Sequence, residues 1–206
     1  NWTNFIRIFL NYDSLYLAAK NNNLAIVNFL LSQPGVKMDS VSFYNCRKLT
    51  ELTIKSNIKA IPKFYFFGCI SITQVIIPSS IEKIGEFSFF GCSSLKSIQL
   101  PSSLEVIDDF AFYGCSSICE ISFLSSPQLK SIGHSAFKGC SSLIEIDIPS
   151  SVTYIGDCCF ECCSSMQKIT LSSSITKIGV QTFRGCLALK EIKIPSSVTE
   201  IGPHSF

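Results

Sequence analysis

Residues 89–117 read FFGCSSLKSIQLPSSLEVIDDFAFYGCSS. The opening Phe-Phe-Gly-Cys-Ser-Ser returns near the close as Phe-Tyr-Gly-Cys-Ser-Ser, so the chain repeats itself with a cysteine in each copy. Working outward, cysteines fall at 46, 69, 92, 115, 140, 163 and 186, at steps of 23 with one step of 25. A phenylalanine precedes each by three, from Phe43 to Phe183, and Phe206 opens an eighth copy. Leu, Ile or Met follows each cysteine by three, as at Leu95, Ile118 and Met166. Ile61, Ile84, Ile107, Ile132, Ile155, Ile178 and Ile201 form a further apolar column, usually followed by glycine.

A unit this short cannot hold a core of its own. A fixed period of this size is the mark of a solenoid, in which each repeat buries its apolar face on its neighbours. Leu95-x-x-Ile98-x-Leu100 ends in the alternation of a short strand. Pro101 stops it, because proline cannot donate into a ladder. Ser102 and Ser103 make a turn, and Leu104 to Ile107 is a second extended piece. Phe112 and Cys115 then lie on one side of a short helical or 3₁₀ turn. The step of 25 reflects two extra residues between Phe123 and Leu129, which predicts a bulge in the turn and an unchanged core.

The repeated wording Ile-Pro-Ser-Ser-Val-x-x-Ile-Gly…Phe-x-Gly-Cys-Ser-Ser-Leu resembles the BspA-like subclass of leucine-rich repeats across residues 41–206. That resemblance implies an α/β repeat fold, a right-handed solenoid of about seven 23-residue units used for binding. It also admits a bacterial surface adhesin. Residues 1–40 differ. Leu15-Tyr-Leu-Ala18-Ala19 and Ile26-Val27-Asn-Phe-Leu30-Leu31 are similar to an ankyrin repeat, with Leu15, Ala18 and Ala19 on one helical face, Ile26, Val27, Leu30 and Leu31 on another, and Gly35 as the stop after its second helix. Phe5, Ile6, Phe9 and Leu10 read as the second helix of a preceding unit. The expectation is a helical pair that caps the first rung. The chain begins at Asn1 and stops at Phe206 inside a repeat, so it reads as a piece of a longer protein.

Composition excludes several classes. Seventeen Lys and Arg balance fifteen Asp and Glu, and no basic block suits a phosphate backbone, so nucleic acid is not expected as a partner. No stretch approaches the length needed to span a bilayer. No nucleophile motif, phosphate loop or paired carboxylates appear, so neither an enzyme nor a cofactor is expected. His134 and His204 read as surface histidines. Asn1-Trp2-Thr3 is a formal glycosylation acceptor. The cysteine column has two readings, buried thiols or inter-rung disulfides; pairing would leave one of seven out, and buried thiols are expected. The cluster Cys158-Cys159-Phe-Glu-Cys162-Cys163 reads as packing rather than a metal site, and Cys119 as exposed. Thiols and an ankyrin-like start favour a reducing cytosol, with the cell surface as the alternative.

Outward strand positions form the candidate protein-binding face: Glu51, Gln74, Ser97, Glu120, Glu145, Lys168 and Glu191 in one column, and Thr53, Ile76, Gln99, Ser122, Asp147, Thr170 and Lys193 in the other. They vary from copy to copy while the core columns do not. Glu120, Glu145 and Asp147 make an acidic patch beside the basic Lys168 and Lys193. A polar, elongated face suits a protein partner better than a small molecule, which prefers an apolar cavity.

Overall fold

The computed structural model describes residues 12–32, 42–54 and 58–206. It is a parallel β-solenoid preceded by two helices, α1 (Tyr12–Lys20) and α2 (Leu24–Ser32). Strands on the first side of the coil are β1 (Glu51–Thr53), β3 (Gln74–Ile76), β5 (Ser97–Leu100), β7 (Glu120–Phe123), β9 (Glu145–Asp147) and β11 (Lys168–Thr170). Two-residue strands form the second side: β2 (Ala60–Ile61), β4 (Lys83–Ile84), β6 (Val106–Ile107), β8 (Ser131–Ile132), β10 (Tyr154–Ile155), β12 (Lys177–Ile178) and β13 (Glu200–Ile201). All pairing is parallel and joins like to like, as in Ile98↔Ile121 and Ile84↔Ile107. The columns of the sequence are therefore columns in space, about 4.8 Å apart per rung.

The third side of each rung is built from turns rather than the expected helical piece. In residues 85–92 the N–H groups alternate in their use. Those of Ser88, Phe90 and Cys92 close i→i+3 turns within the rung, while those of Phe87, Phe89 and Gly91 donate to Asp109, Ala111 and Tyr113 of the next rung. Helical bonding would leave no N–H free to stitch one rung to the next. The alternation needs positive φ at two places per rung. One is the glycine column, as at Gly91 (69°), and the other holds bulky residues such as Phe87 (56°) and Phe110 (55°). A bulky residue in that region is strained, and it is held there by its inter-rung hydrogen bond and stacked ring.

A Cβ on Gly91 would meet nothing within 4 Å, so only the backbone conformation opposes a side chain there. Cys162 occupies the same column at φ 61°. Left-handed backbone costs a non-glycine residue about 1–2 kcal/mol. Gly91→Ala should therefore lose, and Cys162→Gly gain, about 1 kcal/mol in urea unfolding; shifts of the same sign would refute this account of the column.

The interior is built of stacked columns, among them phenylalanines, isoleucines and cysteines. Phe43, Phe66, Phe89, Phe112, Phe137 and Phe160 are fully buried, with successive rings stacked 4.9–5.5 Å apart. The isoleucine column lies on the second side. The cysteines lie between. The Cys115 thiol donates to the Phe89 carbonyl at 3.1 Å, and that oxygen also accepts the N–H of Cys92 in its own rung. The same contact repeats from Cys92 to Phe66 (3.2 Å) and from Cys140 to Phe112 (3.3 Å). A small apolar residue with a weak donor fits this place, and cysteine combines those properties. Between the sheets, Ser80 and Ser103 donate to Ile58 and Ile81 carbonyls one rung back, which closes the turns.

At the insertion, Ser126 takes positive φ (56°) and Gln128 still donates to Ser102. Leu129 stays fully buried, so the bulge leaves the core intact. It does thin one ladder. β5 and β7 pair over four residues, whereas β7 and β9 pair only at Glu120↔Glu145.

Two expectations need correction. Residues 191–193, including Glu191 and Lys193, form no strand, because no backbone hydrogen bond joins residues 190–194 to β11. Ile26 was expected on the buried face of its helix but is 46% exposed, while Val27, Leu30 and Leu31 are buried; burial follows i, i+3, i+4 from Val27, and Ile26 falls off that stripe. Leu15, Ala18 and Ala19 are buried together as expected. Phe5, Ile6, Phe9, Leu10, Gly35 and the Asn1–Thr3 acceptor lie outside the described residues.

Candidate protein-binding face

The outward positions of β1, β3, β5, β7, β9 and β11 lie side by side. Register pairs Glu51 with Gln74, Gln99 with Ser122, Glu120 with Glu145, and Lys168 and Thr170 with Glu145 and Asp147. All are exposed except Ser122, which is half-buried. Glu191 and Lys193 are exposed beyond β11. Among the shallow depressions on this side, two lie over the later rungs. One, of about 540 Å³, lies over β7 and β9 where the ladder thins. The other, of about 740 Å³, lies between β11 and residues 191–196. Both are open, the first lined almost wholly by strand residues and the second by β11 and the non-strand segment 191–196, which suits a flat partner.

Charge is handled differently here from elsewhere. Stacked rungs let residues 23 or 25 apart meet, and ion pairs form at that offset: Lys83–Asp108 (2.8 Å), Lys130–Glu105 (2.7 Å) and Lys177–Glu200 (2.7 Å), with Lys59–Glu82 and Lys63–Glu86 at 2.5 Å. Among the described residues of the strand face, only Lys168 and Glu145 approach as opposite charges, at 4.0 Å, with both side chains more than 60% exposed. Glu120 stands directly beside Glu145, a like-charge neighbour that disfavours the sheet.

The turn side carries a feature that the sequence reading missed. Tyr44, Phe67, Phe90 and Tyr113 stack outside the coil at 4.8–5.1 Å. Phe64, Phe87 and Phe110 stack beside them. Lys63 lies over Phe64 at 4.9 Å, and Lys138 over Tyr113 at 6.0 Å. The first column then turns ionic: Glu161, only 4% exposed, is held by Lys138 (2.7 Å) and Arg184 (3.2 Å). Burial pushes its carboxyl up, but the Lys138 hydrogen bond and charge, with help from Cys158 and Arg184, outweigh this and hold it below the usual carboxylate range. The signal was available as aromatic residues recurring two before and one after Phe66, Phe89 and Phe112, with Tyr44 one after Phe43.

All eleven cysteines are free. Burial pushes Cys46 up to about 12 and Cys186 up to about 11. Cys69, Cys92, Cys140, Cys159 and Cys163 are raised as well, again by burial first. Cys119 is exposed as expected, Cys159 and Cys163 are buried, Cys158 is half-buried, and Cys162 is exposed on its glycine column. The cluster thus scatters around a turn, and among the described residues no group of three or more His, Cys, Asp and Glu is placed to hold a metal. His134 is half-buried edge-on to Phe110 (5.2 Å), and His204 is exposed. No described helix is long and apolar enough to cross a membrane.

Comparison with known proteins agrees with this architecture. The family model described as BspA type leucine rich repeat region matches residues 36–128 and 122–206. A leucine-rich repeat protein of T. pallidum is 32% identical, with a TM-score of 0.62, over 75% of this chain and 67% of that one. One from Eubacterium ventriosum is 26% identical, with a TM-score of 0.67, over 74% of this chain and 41% of that one, so this chain spans less than half of its length. A leucine rich cell surface protein of Faecalibacterium prausnitzii is 28% identical, with a TM-score of 0.51, over 79% of this chain and 52% of that one. No curated protein matches. The stacked columns and the matched model together place this chain in the BspA type leucine-rich repeat family.

Proposed function

We propose that the chain is a non-enzymatic scaffold that binds protein through the strand face, with residues 1–40 acting as an ankyrin-like helical cap on a solenoid of residues 41–206. One observation carries the choice of face. Rung-to-rung ion pairs close at 2.5–3.2 Å on the other sides, whereas on the described strand face the one opposite-charge approach is 4.0 Å. Leucine-rich repeat proteins are in general repeat scaffolds, and extended solenoid faces are what such proteins use for binding. The cell surface protein of F. prausnitzii favours, as a second reading, an adhesin or antigen of the BspA-like type that uses the same face.

Affinity capture tests the face. Gln99→Arg with Thr170→Arg places two long cationic side chains on exposed strand positions without touching the core. Captured protein should fall at least tenfold relative to the unaltered chain, as expected when bulk is set in the centre of an interface. Lys63→Gln with Tyr44→Ser, on the turn side, should leave capture unchanged. A partner recovered equally with the strand-face variant sinks the reading.

A further inference from the structure

We propose that the strand face takes a basic protein partner, one that presents two or more lysine or arginine side chains to Glu120, Glu145 and Asp147. The proposal rests on the strand face being the binding face and adds its polarity. The two outward columns carry five carboxylates, Glu51, Glu120, Glu145, Asp147 and Glu191, against two ammonium groups, Lys168 and Lys193, a net of −3. The whole chain is +2. The face therefore runs against the charge of the body that carries it, which is the asymmetry that selects and steers an oppositely charged partner.

The negative charge is concentrated at the centre. Lys96 and Lys190 stand one residue before the outward column in the third and seventh rungs. In the rungs between, beside Glu120 and Glu145, that place is held by Cys119 and Ile144, and both are exposed. The like-charge register Glu120↔Glu145 costs the sheet stability, and a cation seated between the two carboxylates removes that cost. The depression of about 540 Å³ is lined by Glu120, Glu145 and Asp147, with Cys119 and Ile144 at its edge, so a partner cation meets acid and apolar surface together. The aromatic columns on the turn side offer no such match, since Lys63 and Lys138 at their rim are paired with Glu86 and Glu161.

The probe is a fluorescent peptide of alternating lysine and threonine, about twelve residues long and thus able to cross several rungs, with a glutamate-threonine peptide as its counterpart. Anisotropy titrations at low salt should show the basic peptide binding at least tenfold tighter than the acidic one, with affinity falling as salt rises. Glu120→Gln/Glu145→Gln/Asp147→Asn should weaken the basic peptide about tenfold, a factor of roughly two per exposed charge. Glu82→Gln/Glu105→Gln/Glu200→Gln removes the same charge from paired sites elsewhere and should stay within about twofold of the unaltered chain. Circular dichroism confirms that each variant is folded. The proposal is overturned if the acidic peptide binds as well, if the strand-face triple binds like the unaltered chain, or if the control triple loses as much. If the basic probe fails while Gln99→Arg/Thr170→Arg still abolishes capture, the scaffold reading stands and only its polarity falls.

Discussion

Phe112→Ala is expected to cost about 3–5 kcal/mol in equilibrium urea unfolding, the range for truncating a buried aromatic side chain. Phe112 has no solvent exposure. Its ring is stacked 4.9 Å from Phe89 and 5.3 Å from Phe137, with interplanar angles of 7° and 8°. The substitution therefore removes apolar burial, leaves a cavity between two rungs, and breaks two stacking contacts at once. The position matters as much as the chemistry. In a solenoid each rung touches only its neighbours, so stability is close to a sum of rung and interface contributions. A gap in the fourth ring weakens two adjacent interfaces and uncouples the rungs on either side. The transition should accordingly broaden as well as shift, with a fall in m that a substitution in a single core would not give. Phe90→Ala offers the comparison: Phe90 belongs to the outer aromatic stack and is half-buried, so about 1–2 kcal/mol is expected there. Equal costs at the two positions would mean that the inner column is not the spine of the fold.

The columns that this experiment probes were legible because the solenoid converts sequence period into spatial contact. A residue that must stack on its own copy is written again every 23 positions, and Phe89, Cys92 and Leu95 could be placed from that alone. The charge ladder is written in the same code. Lys83 and Asp108, or Lys177 and Glu200, meet only because they lie a full turn apart, and a window sliding along the chain never compares them. Turn geometry was harder. Nothing local to Phe87 announces a positive φ, since that conformation is imposed by the hydrogen bond its N–H makes to Asp109 in the following rung. The loss of strand at Glu191 and Lys193 has the same origin: Leu189-Lys-Glu-Ile192-Lys-Ile194 has the right alternation, but no backbone hydrogen bond joins it to β11, and pattern does not supply those bonds. For the candidate face, exposure could be read from variation among copies. Which part of it leaves charge unneutralised could not, because that depends on which side chains reach one another across rungs.

The second large effect concerns the thiols. In the folded chain two cysteines, Cys119 and Cys162, should be alkylated readily, Cys158 more slowly, and the other eight only after unfolding. Alkylation requires the thiolate. Burial opposes that charge in Cys46, Cys69, Cys92, Cys140, Cys159, Cys163 and Cys186, and raises each well above its ordinary value. Access opposes it too, since a column thiol such as that of Cys115 points at the Phe89 carbonyl inside the stack. Reaction at these sites must wait for an opening that exposes them, and open states of a stable domain are populated at about 10⁻³ or less. A rate ratio of at least about a thousand between Cys119 and Cys115 is therefore expected, read by mass spectrometry after timed labelling with iodoacetamide. The same experiment decides the rival arrangement. Neighbouring rungs bring column cysteines to about 4.8 Å, inside the reach of a disulfide, so geometry alone does not forbid pairing. Free thiols in every rung predict eleven labels once the chain is denatured without reductant, because all eleven cysteines are then available. Three disulfides among the seven column cysteines would leave five. A denatured mass showing five labels, or a native mass showing more than three, would remove the thiol-to-carbonyl ladder from the account of how the rungs are held together.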